Sequence, residues 1–309
     1  MIIGMFPGNA SQRKGMFSEQ YDNSEIFRQN FDKASDYLGI DLITTARQAS
    51  NEKLEDIGVN TPIIIAGGYA SFQSFCKEND VKPDFLIGHS LGEFSAILCS
   101  GMISLENTLE LVTLRAKLAK KVMEKYNAGM AVINHLENNR VEKIILSLNA
   151  NGMDVSISCY NSPSQACISG RIVDLLSVMP IFLQEGATVH MLKGNAPYHT
   201  SFMNLVKNEF EDKLDQITIQ DPKIPVLSNW FGECYTKENA RTLLLNHLIQ
   251  PIRWERAVKK CIRKNADCFI EFGCGGILTK LMWGINQYVS VYNIDNLADL
   301  DALQKNLIQ

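Results

Sequence analysis

Short apolar runs alternate along this chain with longer stretches in which apolar residues recur every three or four positions. The runs Ile2–Phe6, Phe85–Ile87, Val226–Ser228, Cys268–Glu271 and Ser290–Asn293 are too short for helices and read as buried strands. Helical spacing covers Ser24–Leu38, Thr61–Glu78, Leu91–Ser100, Ser104–Tyr126, Tyr198–Lys213, Lys237–Ile249, Arg253–Lys264 and Leu278–Ile285. Strands alternating with helices predict an α/β fold. One segment keeps a different rhythm: strand Met130–Asn134, helix Asn139–Leu148, strands Val155–Tyr160 and Gln165–Ser169, helix Ile172–Gln184, strand Thr188–Leu192. That order, β-α-β-β-α-β, is ferredoxin-like. The expected organisation is a discontinuous core of residues 1–127 and 197–309 with a small subdomain, 128–196, inserted in it. A cleft between the two is the natural place for a ligand.

Composition narrows the class. The 309 residues suffice for a large core, and 46% of them are hydrophobic, as in ordinary globular proteins. No apolar stretch approaches the roughly 20 residues that span a bilayer, and Met1–Phe6 runs into Pro7 and Gly8 without a basic flank, unlike a signal peptide. The net charge of −4 argues against nucleic acid as a partner. Eight scattered cysteines, with no C-x-x-C and no zinc-like spacing, point to a reducing cytoplasm and to no bound metal.

The chemistry starts at "PDFLIGHSLGEFSAIL", residues 83–98. A strand ends at Ile87 and a helix follows at once, with Gly88 and Gly92 bracketing Ser90. A strand-to-helix turn this tight needs glycines where Cβ atoms would collide, and it projects the central side chain outward: this is the nucleophile elbow, G-x-S-x-G. The helix N-terminus also turns unpaired N–H groups toward the serine. The plainer alternative is a glycine-rich turn with a solvated serine.

On the next helix Ser104 is a suitable N-cap, and Leu105, Leu109, Leu111, Val112, Leu118, Ala119, Val122 and Met123 share a face. Arg115 falls inside that apolar arc, whereas Lys117, Lys120, Lys121 and Glu124 lie opposite. An inward guanidinium needs an anion. The candidates are a buried Asp or Glu, or a carboxylate that arrives with substrate and is clamped bidentately. Among five histidines, His199 opens the segment "YHTSFM" where the chain re-enters the core, placing it to meet Ser90 across the cleft as a base. His89 adjoins the nucleophile; His135 and His190 fall in the small subdomain.

With these residues in place, the chain resembles the malonyl-CoA:acyl-carrier-protein transacylase family, which includes the acyltransferases of polyketide synthesis. The resemblance runs in order through "FPGNASQ" (6–12), "GHSLGE" (88–93), "LVTLRAKL" (111–118), "GMAVI" (129–133), "YNSPSQACISG" (160–170), "APYHTSFM" (196–203), "IPVLSNWFG" (224–232), "PIRWERAV" (251–258) and "FIEFGCGGILTKL" (269–281). It implies an α/β-hydrolase-like core with a ferredoxin-like insertion. It implies ping-pong acyl transfer, with Ser90 as nucleophile, His199 as general base, the N–H groups of Asn9 and Leu91 as oxyanion hole, and Arg115 on the malonyl carboxylate. His89, Tyr198 and His247 join the expected substrate-binding set. Malonyl-CoA and a phosphopantetheinylated carrier protein are the implied substrates, with no bound cofactor, metal, nucleic acid or membrane, and with a monomer expected in the cytoplasm.

Several positions depart from the family pattern. Asn9 and Ala10 replace Gln and Gly, His247 stands where a glutamine is usual, Cys274 replaces a proline, and Tyr198 stands where malonyl-specific members often carry Phe. These suggest a discrete acyltransferase of a polyketide pathway. Three other readings use the same residues: an acyl-carrier thioester hydrolase, for which a buried Arg115 would be superfluous; a lipase or esterase, which would need an HGGG-type loop; and an inactive subunit that only docks carriers. Lys117, Lys120, Lys121 and Lys125, and "RWERAVKKCIRK" (253–264), are the expected basic surface for an acidic carrier.

Overall fold

A computed structural model describes residues 1–295 and 297–307; the last two residues of the expected core, 308 and 309, lie outside the described residues. Strand β1 (Ile2–Phe6) is apolar on both faces and sits at the centre of a parallel sheet, as continuous apolar strands do. Its neighbours are β2 (Phe85–Gly88) and β8 (Cys268–Glu271), with β7 (Val226–Leu227) and β9 (Ser290–Asn293) at the edges, giving the order β7-β2-β1-β8-β9. Helices connect the strands, and among the described residues none is long and apolar enough to cross a membrane.

A second, antiparallel sheet is contiguous in sequence: β3 (Ala128–Asn134), β4 (Val155–Ser162), β5 (Gln165–Arg171) and β6 (Thr188–Leu192), ordered β4-β5-β3-β6. It has its own core, in which Ile133, Ile168 and Val189 meet Val141 and Ile145 of helix Asn138–Ala150 and Leu175 and Phe182 of helix Ile172–Gln184. The second sheet is tied to the core by main-chain hydrogen bonds to the segment between helices Ala240–Ile249 and Trp254–Arg263: Tyr160 N–H donates to the Ile252 carbonyl and Ile252 N–H to the Ser158 carbonyl, both at 2.8 Å.

Three expectations need correction. The helix expected at Thr61 begins at Ile57, because the Asp56 carboxylate caps it by accepting from Gly58 N–H at 2.7 Å; Pro62, second in the expected helix, lies a full turn further in. Tyr198–Lys213 is not one helix. His199 takes a left-handed φ of 63° and Thr200 is extended, so a 3₁₀ turn (Ser201–Val206) and a helix (Lys207–Leu214) follow only afterwards. Helices Ser18–Asn23, Leu42–Gln48 and Asn51–Glu55 carry too few turns to show periodicity, and the longer helix Leu297–Leu307 also lies outside the expected set.

The elbow rests on two glycines. A Cβ on Gly92 would overlap the main-chain carbonyl of Phe6, and one on Gly88 would overlap the backbone of Gly92 and Glu93. Neither neighbour can yield, since Phe6 ends the central strand β1 and Gly92 and Glu93 open the buried helix Gly92–Cys99. Gly92→Ala should therefore lower the melting temperature by more than about 6 °C, corresponding to at least about 3 kcal/mol. Thermal unfolding followed by circular dichroism checks this; an unchanged midpoint would mean that the elbow has slack.

Candidate active site

Ser90 holds a left-handed φ of 51°, uncommon for a residue with a Cβ, at the tip of the turn between β2 and helix Gly92–Cys99. Its Oγ lies 2.7 Å from Nε2 of His199. The opposite nitrogen, Nδ1, is 2.7 Å from the main-chain carbonyl of His247. A carbonyl only accepts, so Nδ1 carries the proton and Nε2 is left free to accept from the serine hydroxyl. The backbone N–H of His199 donates to the carbonyl of Leu248 at 3.1 Å. His199 is thus fastened twice to the last turn of helix Ala240–Ile249, whose terminal carbonyls lack helical partners. Burial first, then the neighbouring His247 and Arg115, push the His199 pKa well below the usual 6.5, so the imidazole is neutral at neutral pH.

The N–H of Leu91 opens the helix after the elbow, and the loop carrying Gly8 lies against it, a Cβ on Gly8 falling 3.1 Å from that nitrogen. Neither Leu91 N–H nor Asn9 N–H donates to another group among the described residues. Asn9 lines the same cavity as Ser90, and Leu91 follows Ser90 directly in the chain. Ala10 adopts φ 76°, where glycine would be relaxed, so this departure costs on the order of 1 kcal/mol.

Ser90 and His199 open onto a cavity of about 250 Å³ between loops and a helix of the core and the second sheet. Asn9, Ala10, His89 and Tyr198 line it from the core; Met130, Val132, Asn134, Cys159, Asn161, Gln165, Cys167 and Leu192 line it from the second sheet. His89 Nε2–H donates to Asn161 Oδ1 at 2.8 Å; Asn161 Nδ2 donates to Gln165 Oε1 at 2.9 Å, and Gln165 Nε2 to Asn134 Oδ1 at 2.7 Å. This side-chain chain bridges the sheets beside the nucleophile.

Arg115 is 1% exposed. It forms none of the ion pairs among the described residues, and its Nε and Nη2 have no hydrogen-bond partner. The internal salt bridge weighed as an alternative is therefore not there. The guanidinium stacks on Tyr198, 3.8 Å from the ring centroid, with Phe94 5.8 Å away. Tyr198 is the cavity wall and Arg115 lies behind it; the buried Tyr198 hydroxyl is also unpartnered.

His247 is placed differently from expectation. Its ring does not reach the cavity; it is buried edge-on to His199, centroids 5.0 Å apart, with Nε2 3.8 Å from Glu93 Oε2 and neither nitrogen hydrogen-bonded. What it gives the site is its carbonyl. Glu93 itself was not anticipated as a site residue, although it closes the quoted "GHSLGE". Fully buried, it accepts from Tyr235 O–H and from Asn229 N–H, and burial raises its pKa to about 7. Asn161 and Gln165 were also missed; their polar spacing lies in the quoted "YNSPSQ", yet nothing local shows that β4 and β5 face the elbow.

Residues 5–305 match the family described as "Acyl transferase domain", and the chain belongs to it. It is an acyltransferase. The chain is 29% identical over 289 residues to the polyketide biosynthesis malonyl CoA-acyl carrier protein transacylase PksC of Bacillus subtilis, covering 93% of this chain and 98% of that one. It is 29% identical over 308 residues to the malonyl CoA-acyl carrier protein transacylase of Haemophilus influenzae, covering 98% of each. Among solved structures, a malonyl-transacylase in complex with a type II polyketide synthase acyl-carrier protein superposes with a TM-score of 0.94 at 28% identity over 99% of both chains. FabD from Acinetobacter baumannii superposes at 0.93 and 28% identity, over 99% of this chain and 98% of that one.

Two measurements follow from the geometry. A base whose pKa lies below 6.5 is lost only when it protonates, so kcat/KM should stay level from neutral pH down past 6.5 and fall below it. The buried neutral imidazoles also make folding weaken in the same direction, because the unfolded chain protonates first; circular dichroism at each pH separates the two effects. His199→Ala should slow acylation by roughly 10²–10⁴-fold. His247→Gln keeps the carbonyl and should cost less than about 10-fold; a larger loss would mean that the ring, not the main chain, orients the base.

Proposed function

We propose that the protein moves a malonyl group from coenzyme A to the phosphopantetheine thiol of an acyl carrier protein through an acyl-enzyme on Ser90. Ser90 Oγ attacks the thioester carbonyl while His199 Nε2 takes its proton. The N–H groups of Leu91 and Asn9 hold the oxyanion, an interaction worth about 3–4 kcal/mol per donor in such sites. Collapse expels the thiolate of coenzyme A, which takes the proton back from His199. The carrier thiol then gives its proton to His199 and attacks the seryl ester; the bond to Ser90 Oγ breaks, that oxygen takes the proton back from His199 Nε2, and the carrier leaves as malonyl thioester. The imidazolium formed in each half lies against the carbonyl end of helix Ala240–Ile249, where the helix dipole favours positive charge.

The observation that carries the substrate class is Arg115: a buried cation with unpaired Nε and Nη2, one aromatic ring away from the cavity. Holding it bare costs several kcal/mol, a cost that a substrate carboxylate offsets. A hydrolase of neutral acyl chains has no use for it. The relatives bearing malonyl transacylase names support the same reading, and the carrier bound in one solved relative supports the acceptor.

The basic face for an acidic carrier is narrower than the sequence suggested. Lys120 pairs with Asp56 at 2.5 Å and Lys121 with Glu209 at 2.7 Å, so Lys117 and Lys125 are what the arginine helix offers. The stronger cluster is Arg256, Lys260, Arg263 and Lys264 beside exposed Phe231. We place the enzyme in the cytoplasm, a reading supported by eight free cysteines. Side chains and main-chain groups handle every proton and charge in the cycle as drawn.

The test is Arg115→Ala assayed with malonyl-CoA and acetyl-CoA. Malonyl transfer should fall on the order of 10²–10³-fold in kcat/KM relative to acetyl transfer, with the adduct mapped to Ser90 by mass spectrometry. Arg115→Lys should recover part, keeping the charge but not the planar fork. Equal losses for both substrates in a folded variant would remove the carboxylate clamp and the malonyl assignment with it.

A further inference from the structure

Two thiols with no part in acyl transfer stand on the wall of the cavity. Cys159 of β4 and Cys167 of β5 are direct cross-strand partners, so their side chains leave the same face of the sheet. Both are buried, and both line the cavity that opens on Ser90. The pairing of β4 slips between Ile157 and Cys159, which gives that strand latitude to adjust where the thiol is attached.

The surroundings distinguish the two sulfurs. Cys167 Sγ accepts from Asn161 Nδ2 at 3.5 Å, and hydrogen bonding from the Cys159 thiol holds the Cys167 pKa below the ordinary thiol value despite burial. Cys159 is pushed the other way, chiefly by its bond to Cys167 and then by burial. The Asn161 amide donor favours negative charge on Cys167 over Cys159, the division of labour between an attacking and a resolving thiol.

We propose that Cys159 and Cys167 form an oxidation site at which a small hydroperoxide closes the acyl cavity by creating a cross-strand disulfide. The Cys167 thiolate attacks one oxygen of hydrogen peroxide, the O–O bond breaks, and the departing hydroxide leaves as water after taking a proton. Cys167 is then a sulfenic acid. Cys159, having given up its proton, attacks that sulfur; the S–S bond forms and the second oxygen leaves as water. Two thiols lose two electrons and two protons, and one peroxide becomes two waters. Paired strand residues hold their Cβ atoms about 4.5–5.5 Å apart and a disulfide needs about 3.5–4.5 Å, so oxidation draws β4 and β5 together at the cavity wall. It also shifts the sulfur that accepts from Asn161, and Asn161 holds His89 next to Ser90. The site chemistry then slows although Ser90 and His199 are untouched.

The purified protein is exposed to hydrogen peroxide, alkylated, and digested with trypsin without reductant. Residues 144–171 form one tryptic peptide holding both cysteines and no other, so the disulfide appears as a peptide lighter by two hydrogens and unalkylated. Malonylation of Ser90, followed by intact mass, should fall at least about 10-fold in the oxidised protein and return with dithiothreitol. Cys167→Ala should lose the peroxide sensitivity. Cys159→Ala, lacking the resolving thiol, should carry its oxidation on to a sulfinic acid that dithiothreitol does not reverse. Cys234→Ala, which removes an exposed thiol, should respond as wild type. The proposal fails if the 144–171 peptide stays fully alkylated, if the disulfide forms with acylation unchanged, or if Cys234→Ala abolishes the response. Each variant is compared with itself before oxidation, and the peptide mass in the wild type stands even where a variant does not fold.

Discussion

The imidazole that faces Ser90 is held by the end of a helix. Two carbonyls in the last turn of helix Ala240–Ile249 take the backbone N–H and the ring Nδ1–H of His199, and this double grip fixes the tautomer, the ring plane and the distance to Ser90. Among the described residues no carboxylate is hydrogen-bonded to the ring. The negative end of the helix dipole takes that place, at about half an elementary charge, and it needs no ionised group of its own. The left-handed turn at His199 is what brings both donors to the same helix end, which is why the residue cannot sit on a regular helix.

Around that grip the protein arranges two buried polar systems of opposite character. Beneath the elbow, Glu93 is satisfied by Tyr235 and Asn229 and locks the start of the nucleophile helix to the segment after β7. Beside the elbow, His89, Asn161, Gln165 and Asn134 tie the two sheets across the cavity. Both are closed networks, which rigidify. Arg115 is left out of each. Its stacking on Tyr198 stabilises the cation without neutralising it, so the charge stays available to a ligand.

The fold was legible because its signals are local. The apolar runs gave the strands of both sheets, and the two glycines around Ser90 gave the elbow. The apolar arc around Arg115 foretold its burial. What the sequence hid was set by tertiary geometry. The backbone twist at His199 has no residue signature, so "YHTSFM" read as a helix start. His247 drew attention through its side chain, whereas its position matters through a carbonyl that any residue carries. Lys120 and Lys121 looked free until Asp56 and Glu209, distant in sequence, came alongside. Cys159 and Cys167 lie eight positions apart, and only the hairpin register makes them neighbours.

The strand order carries a consequence for how the chain assembles itself. β1 sits between β2 and β8, and β8 is separated from it by most of the sequence. Closing a loop of that length is entropically costly and slow, and contacts of such high sequence separation delay folding. The four-stranded sheet, by contrast, draws only on residues 128–192 and can close soon after they are synthesised. During the interval between, β1 and β2 expose an apolar parallel edge while the insertion is already folded beside them. That open edge, rather than any part of the finished enzyme, is where aggregation competes with folding.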